Sequence, residues 1–434
     1  MLSAAFIGPG TITAAGSAGS GFGFTLLWAL LFSTVACVML QEAGARLTIS
    51  GEQNLGESIA ARFRGTPAGT FAIWLVGGSI VLGCAAYEAG NILGGVAGLG
   101  LVLDVSPALL TAGIGLAAFL LLWFGSTDLI AKMLGGVVAL MGICFLTTAL
   151  IMQPPLGELL GGLFVPAVPT GSELLVIGLI GTTVVPYNLF LGSNIRHSQS
   201  LREMRFSLSF AVILGGVISM AVLVVGSSVA GSFSYEGLAG ALAGTLGGWA
   251  AVFFALGLAA AGLSSALTAP LAAALTAQSL WGTSAAPEAS PGGPASTESL
   301  WREGGSRFRA VWIGVLLCGV GFGVSQVQPI PAIILAQALN GIILPLIAIF
   351  LLLMANDRGL LGTEHINGGW ANALTGIIVF VTLVIGLTNV ARALNRVLDV
   401  SLVRESWILA LSALLAALLL VPIYRRIMRY RSGG

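Results

Sequence analysis

Long apolar runs dominate the hydrophobic pattern of this chain. Twelve of them are close to the roughly 20 residues that a helix needs to cross a bilayer. We place them at about residues 2–18, 22–46, 70–98, 107–126, 129–151, 172–196, 204–231, 246–280, 307–327, 330–355, 370–391 and 405–424. Turn residues such as Ser106, Pro107, Pro154 and Pro155 separate neighbouring runs. The pattern therefore predicts an all-α polytopic membrane protein with about 12 transmembrane helices.

Composition supports this prediction and excludes several function classes. Charged residues make up 8% of the chain, against about 25% in ordinary soluble domains. The net charge of +1 indicates no nucleic-acid partner. The four cysteines lie within apolar runs without the spacing of metal ligands, so we expect no cofactor. The two histidines, His197 and His365, lie in separate loops, so we predict that the chain is not an enzyme.

The distribution of basic residues predicts the orientation. If the N-terminus is cytoplasmic, only Arg392, Arg396 and Arg404 fall in outer loops, and the other basic residues fall in inner loops or the C-terminal tail. Inner loops of membrane proteins carry the excess of Lys and Arg. We therefore expect both termini to be cytoplasmic.

Two of the predicted spans contain helix-breaking sequences. Gly8, Pro9, Gly10 and Thr11 interrupt the first span, and Pro186 follows a β-branched run within the sixth. Matched interruptions in two halves of a chain are typical of transporters built from inverted repeats, whose substrate site lies between the broken helices. We expect a ten-helix core over residues 1–355, with one repeat over 1–151 and the other over 172–355. Residues 282–306, rich in Pro, Gly, Ser and Ala, are expected to form a flexible cytoplasmic linker. Residues 370–424 would add two C-terminal transmembrane helices.

The same segments resemble the Nramp family of divalent-metal transporters. The family's first-helix signature, Asp-Pro-Gly-Asn followed by Leu-Leu-Trp, is similar to residues 8–11 followed at the same spacing by residues 26–28. Its sixth-helix Met-Pro-His is similar to residues 185–187, and residues 260–265, 344–345 and 356–358 match further family segments. The resemblance implies a LeuT-type fold, a 5+5 inverted repeat with broken helices 1 and 6. It also implies proton-coupled divalent-metal transport by alternating access in the plasma membrane, which is the inner membrane of a bacterium.

The metal-binding residues of the family are replaced in this chain. By resemblance, Gly8 occupies the position of the metal-ligating aspartate, Thr11 that of the asparagine, Val185 that of the methionine and Tyr187 that of the histidine. The glutamines of the eighth and tenth helices correspond to Leu263 and Ile343. None of the usual Nramp metal ligands is therefore expected at the site.

The predicted substrate site consists of neutral side chains and backbone carbonyls at the two breaks. Its residues are Gly8, Thr11, Thr13, Thr182, Thr183, Val185, Tyr187 and Asn188. A fully dehydrated dication would lack charge compensation there. The site would suit a largely hydrated or monovalent cation better, and a small polar or organic non-metal solute is the alternative. A channel is less favoured because the chain contains no filter-like loop.

Four further polar residues within spans are candidates for coupling or for lining the pathway. They are Glu88, Asn91, Gln337 and Asn340. Glu88 falls where the resemblance places a third-helix aspartate linked to proton movement, and Asn91 falls at a glutamate position. An ionisable residue within a span is costly and favours a function, although a neutral, hydrogen-bonded structural glutamate is the alternative. The expected partners are an ion or small-molecule substrate, the lipid bilayer and protons, if transport is coupled to them.

Overall fold

A computed structural model describes residues 7–125, 128–192, 200–282, 300–302, 304–325, 327–397 and 405–432. The described residues form helices and connecting segments. In chain order the helices are α1 Pro9–Phe22, α2 Leu27–Gly51, α3 Leu55–Phe63, α4 Pro67–Gly100, α5 Pro107–Phe124, α6 Asp128–Ile151, α7 Leu156–Phe164, α8 Glu173–Thr183, α9 Pro186–Gly192, α10 Leu201–Gly226, α11 Tyr235–Leu246, α12 Gly248–Ala277, α13 Ser306–Val324, α14 Pro329–Met354, α15 Arg358–Leu361, α16 Gly369–Val397 and α17 Glu405–Ser432. A π-helical turn, Gln278–Gly282, extends α12.

Eleven of the twelve predicted spans correspond to segments that are long and apolar enough to cross a membrane, within the described parts of the chain. The exception is the first, because α1 has 14 residues and is only about 21 Å long. Residues 2–6 of that predicted span lie outside the described residues, as do residues 283–299 of the predicted linker. Large apolar side chains such as Phe124, Leu150 and Phe206 are exposed on the outer surface of the bundle. Such a surface is suited to lipid.

The first of the two broken elements, α1, packs in the middle of the bundle. It contacts α8, the element that ends at the second break, and also α4, α10 and α14. Glycines allow some of the central helices to approach closely. A Cβ atom added to Gly181 of α8 would lie 2.1 Å from the backbone oxygen of Gln337 in α14. The two broken elements are thus surrounded by protein, where freed backbone groups can be satisfied.

A polar network joins α2 to the segment before α16 at the face that the charge distribution predicts to be cytoplasmic. Arg46 forms an ion pair with Glu42 at 3.1 Å and donates to the carbonyl of His365 and the side chain of Asn367. Arg205, at the start of α10, reaches the same Glu42 carboxylate at 2.8 Å. The network therefore fixes three distant parts of the chain at one face.

Candidate functional site

Both predicted helix breaks have a proline as the first residue of the following helix. Gly8 is extended, with φ −100° and ψ 174°, and Pro9 begins α1. Proline suits this position because its missing N–H would have no helical partner there. In the sixth predicted span, α8 ends at Thr183, Val184 has the non-helical angles φ −101° and ψ 76°, and α9 begins at Pro186. The interruption expected over residues 8–11 ends earlier in the chain than predicted, because Thr11 already lies in the first turn of α1; residues 1–6 lie outside the described part of the chain.

A hydrogen bond between threonine side chains connects the two broken elements. The hydroxyl oxygens of Thr11 in α1 and Thr182 in α8 are 3.0 Å apart, and both residues are 1% exposed. Thr11 is two residues after Pro9, and Thr182 is two residues before the non-helical Val184. The hydroxyls at the two breaks therefore face each other inside the protein.

Two tyrosines and a glutamine surround this pair. The rings of Tyr87 in α4 and Tyr187 in α9 meet edge to face, with centroids 5.4 Å apart, and Tyr87 contacts the side chains of Thr182 and Gln337. We call Thr11, Tyr87, Thr182, Tyr187 and Gln337 the central polar cluster. Each of its five members is less than 5% exposed, so the cluster is closed to both faces of the membrane.

Gln337 reaches the cluster because α1 has a glycine opposite it. A Cβ atom on Gly10 would lie 2.0 Å from Nε2 of Gln337, closer than any side chain can approach. The amide oxygen of Gln337 is buried and accepts no hydrogen bond from the described residues. A buried acceptor without a partner is unfavourable, so a bound cation or hydrogen-bond donor would stabilise it.

Two of the predicted threonines direct their hydroxyls elsewhere. Thr13 donates to the carbonyl of Pro9 at 2.7 Å and lies 2.7 Å from the hydroxyl of Tyr235 in α11. Burial raises the pKa of Tyr235, which lies outside the membrane-spanning segments, so it remains a neutral phenol that donates to Thr13. Thr183 donates to the carbonyl of Leu179 within its own helix at 3.0 Å. These hydroxyls have structural partners.

The remaining predicted substrate residues, Gly8, Val185 and Asn188, are buried near the breaks. Gly8 faces α12, where a Cβ atom on it would lie 3.4 Å from the hydroxyl of Ser265. Val185 contributes no polar side-chain atom. Asn188 is the third residue of α9, and its backbone N–H donates to the carbonyl of Val185 at 3.0 Å.

Glu88 lies beside the cluster and is enclosed between α4 and α13. One carboxylate oxygen accepts a hydrogen bond from the amide of Asn91 at 3.2 Å, and the other is buried without a hydrogen-bond partner among the described residues. Gly319 of α13 makes room for it, because a Cβ atom there would lie 2.6 Å from Cγ of Glu88. No ion pair involves Glu88 within the described segments.

The polar and apolar residues of α14 have different surroundings. Gln337 is the α14 member of the cluster, whereas the resemblance assigns the tenth-helix glutamine position to Ile343. Ile343 is buried against α4, where its Cδ1 atom would lie 3.2 Å from a Cβ atom on Gly83. The side chain of Asn340 also faces Gly83, and its amide donates to the carbonyl of Ala336 at 3.3 Å.

Sequence reasoning overlooked Tyr87 and Ser265 as residues near the breaks. Tyr87 immediately precedes Glu88 in the third predicted span, so a phenol at that depth was the available signal. Nothing in the sequence distinguishes Ser265 from its neighbour Ser264. The chemistry of the cluster is that of neutral oxygen atoms, and the described residues contain no group of three or more His, Cys, Asp or Glu side chains able to hold a metal ion.

Sequence comparisons identify related proteins. The family model described as "Natural resistance-associated macrophage protein-like" (Nramp) matches residues 1–392. A divalent metal cation transporter MntH from Pectobacterium carotovorum is 28% identical over 397 residues, covering 86% of this chain and 88% of the relative. An MntH from Xylella fastidiosa is 32% identical over 298 residues, covering 63% of this chain. That match spans 61% of the Xylella protein's length.

Solved structures share the fold. A manganese transporter from Eremococcus coleocola aligns with a TM-score of 0.70 at 18% identity, covering 99% of this chain and 93% of the other. Mhp1, a nucleobase-cation-symport-1 family transporter, aligns with a TM-score of 0.51 at 16% identity, covering 99% and 95%. The predicted fold class, an all-α polytopic membrane protein of LeuT type, is confirmed.

Proposed function

Because this chain belongs to the Nramp family, we propose that it is a secondary transporter that moves a cation across the membrane by alternating access. In such transporters the substrate lies between two discontinuous helices, and the helices move against the rest of the bundle. The observation that best supports the proposal is the meeting of Thr11 and Thr182 at the two helix breaks. The unpartnered amide oxygen of Gln337 beside them supplies a further ligand.

The donor set of the cluster limits the cation. The family-level cargo is a divalent metal ion, and thioether ligands favour the softer metals. Here the cluster offers hydroxyl and amide oxygens, which suit harder cations, and it contains no anionic member. A dication stripped of water would be uncompensated among such groups. We therefore propose that the cation keeps part of its hydration shell or is monovalent.

We further propose that Glu88 couples transport to proton movement. Its carboxyl group is buried next to Tyr87, has one oxygen without a hydrogen-bond partner and forms no ion pair within the described part of the chain. Such a group can take up and release a proton as access to it changes, since an isolated carboxylate in a membrane is unfavourable. Asn91 would hold the carboxyl group in place.

The remaining assignments are part of the same proposal. Residues 1–151 and 172–355 would form the two repeats, and residues 370–424 would be added helices. Both termini would be cytoplasmic, in the inner membrane of a bacterium. Nramp proteins form a transporter family, and we propose no catalytic activity for this member.

Uptake into proteoliposomes tests the proposed function. Purified protein would be assayed with Mn²⁺, Mg²⁺, K⁺ and a panel of small polar solutes, while internal pH is followed. We expect saturable uptake of at least one cation, with Mn²⁺ not preferred over Mg²⁺, and acidification that accompanies it. Saturable uptake restricted to a polar solute would contradict cation transport, and unitary conductance steps would indicate a channel.

A further inference from the structure

A basic cavity lies at the C-terminal end of α17, beyond the residues that the family model matches. It has a volume of about 570 Å³ and is lined by Pro422, Arg425, Arg426, Arg429 and Tyr430. We call it the arginine cavity. The family match ends at residue 392, so nothing in the family resemblance assigns a role to it.

Contacts with α3 hold one wall of the cavity in place. Arg426 donates from Nε to the hydroxyl of Tyr430 at 3.0 Å, and its guanidinium lies 5.1 Å from the ring centroid of Phe63. Arg62 lies over the ring of Tyr430 at 4.4 Å and pairs with Asp357 at 3.2 Å. Tyr430 is thereby buried between two guanidinium groups, so the cavity has a defined shape.

Among the described residues, no carboxylate compensates the positive charge that lines the cavity. Asp357 is paired with Arg62, and no described carboxylate forms an ion pair with Arg425, Arg426 or Arg429. The three guanidinium groups are exposed and carry like charge, so an anion bound among them would reduce their mutual repulsion. Guanidinium groups bind phosphate oxygens through paired hydrogen bonds, so the charge and shape suit a phosphate group.

The surface next to the cavity indicates where the phosphate comes from. The turns of α17 that precede it expose Leu414, Leu418, Val421 and Tyr424. These side chains give the turns of α17 next to the arginine cavity an apolar surface suited to acyl chains. A free phosphate ion would use the cavity alone, whereas a phospholipid would use both surfaces.

We propose that the arginine cavity binds the phosphate of an anionic phospholipid whose acyl chains lie along α17. Clusters of basic residues at the cytoplasmic end of a transmembrane helix, as on α17 here, are sites at which anionic headgroups bind. The bound lipid would link α17 to α3, because Phe63 and Arg62 support the wall that holds it. This inference does not depend on the transported cargo.

Lipid binding to the purified full-length protein tests the proposal. Phosphatidylglycerol and phosphatidylcholine would be compared by native mass spectrometry and by the shift each causes in the thermal unfolding midpoint. Inorganic phosphate and glycerol phosphate, which lack acyl chains, would be measured in the same way to test whether the cavity binds a free anion instead of a lipid. The variant is R425Q/R429Q, which leaves Arg426 and its contact with Tyr430 intact. The control is R202Q/R307Q, which removes two charges from exposed residues at the starts of α10 and α13.

We expect the unmodified protein and the control to bind phosphatidylglycerol in preference to phosphatidylcholine. Binding to R425Q/R429Q should fall by about tenfold or more, since two of the three guanidinium groups that would hydrogen-bond the phosphate in the cavity are lost, whereas the control keeps all three. If the double variant does not fold, R425Q and R429Q would be measured singly and should each show part of the loss. Equal binding of the two lipids, an equal loss in the control, or phosphate binding as tightly as phosphatidylglycerol would overturn the proposal.

Discussion

The hydrogen-bond partner of each polar side chain in the central bundle determines whether that side chain is available to a substrate. Thr182 and Thr183 are adjacent and almost equally buried, yet Thr182 faces Thr11 across the break and Thr183 bonds to its own helix. Gln337 and Gln41 are both 1% exposed with an unpartnered amide oxygen. Gln337 belongs to the central polar cluster, whereas Gln41 lies on α2. Residue type and burial alone therefore do not identify the site.

Gln337→Leu should separate stability from transport. Removing a buried polar group whose oxygen has no partner relieves a cost of about 1–3 kcal/mol, so the unfolding midpoint should stay the same or rise. Cation uptake in proteoliposomes should fall by about tenfold, the equivalent of about 1.4 kcal/mol in binding. Gln41→Leu, the matched control, should stabilise similarly and leave uptake unchanged. Equal uptake by both variants would exclude Gln337 from the site.

Glu88→Gln should remove the proton signal while retaining a folded protein. The amide is similar in size, can still pair with Asn91 and has no charge to bury, so the thermal unfolding midpoint should not fall. Internal acidification during cation uptake should be lost, and uptake should no longer depend on external pH. Glu158→Gln, an exposed glutamate in α7, is the control and should behave as the unmodified protein. Acidification that persists in Glu88→Gln would contradict the coupling role.

At the scale of elements, hydropathy predicted the spans well and the short helices poorly. Eleven predicted spans match described helical segments, because a bilayer requires long apolar runs whatever the tertiary contacts are. The helices α7 and α11, with 9 and 12 residues, were not predicted. Such helices lie outside the lipid core, so neither length nor hydropathy marks them. Similarly, the residue at which each interrupted helix resumes depends on how it packs against the neighbouring helices.

Pro186 was sufficient to predict the break between α8 and α9, and Pro9 marked the start of α1, but the residues that these two sites contact were not predictable from the sequence. Gln337 reaches the cluster from α14 because Gly10 and Gly181 leave space, and Tyr87 reaches it from α4. Close approach of this kind depends on which two helices pack against each other, and a single sequence does not reveal which helices these are.

Gly10→Ala should test the close approach of α1 and α14. In a helix this change normally stabilises by about 1 kcal/mol, but here the new Cβ would displace the Gln337 amide. The contacted atoms are the end of a flexible side chain, so the amide can move with little loss of stability, and cation uptake should fall while the unfolding midpoint changes little. Gly21→Ala is the control, because Gly21 is in the same helix with open space around its Cβ position. Unchanged cation uptake in Gly10→Ala would show that α1 and α14 do not pack as described.

On the scale of the whole molecule, polar contacts at one face join parts of the chain that are far apart in sequence. Arg46 links α2 to residues 365 and 367, and Arg205 brings α10 to the same carboxylate of Glu42. The sequence showed the Glu42 and Arg46 spacing of one helical turn, but the distant partners required the fold. Transport by alternating access requires such a framework to stay fixed while the broken helices move.

The two arginines that share Glu42 should differ in their contribution to stability. Arg46→Gln should lower the free energy of unfolding by about 1.5–3 kcal/mol, because the hydrogen bonds of the buried guanidinium to the carbonyl of His365 and the side chain of Asn367 are lost. Arg205 has a side chain that is 54% exposed, so Arg205→Gln should cost less than about 1 kcal/mol. Thermal unfolding of both variants in one detergent provides the comparison. Equal losses would mean that the Arg46 contacts are not those described.

The central claim is that cargo binds to neutral oxygen atoms where the two helix breaks meet. Its most direct test is the concentration dependence of Mg²⁺ and Mn²⁺ uptake by Thr182→Val and Thr183→Val. Both substitutions remove one buried hydroxyl without changing side-chain size. We predict that Thr182→Val raises the KM for the transported cation about tenfold, the equivalent of about 1.4 kcal/mol, and that Thr183→Val leaves KM unchanged. An unchanged KM in Thr182→Val, or equal changes in both variants, would contradict the account.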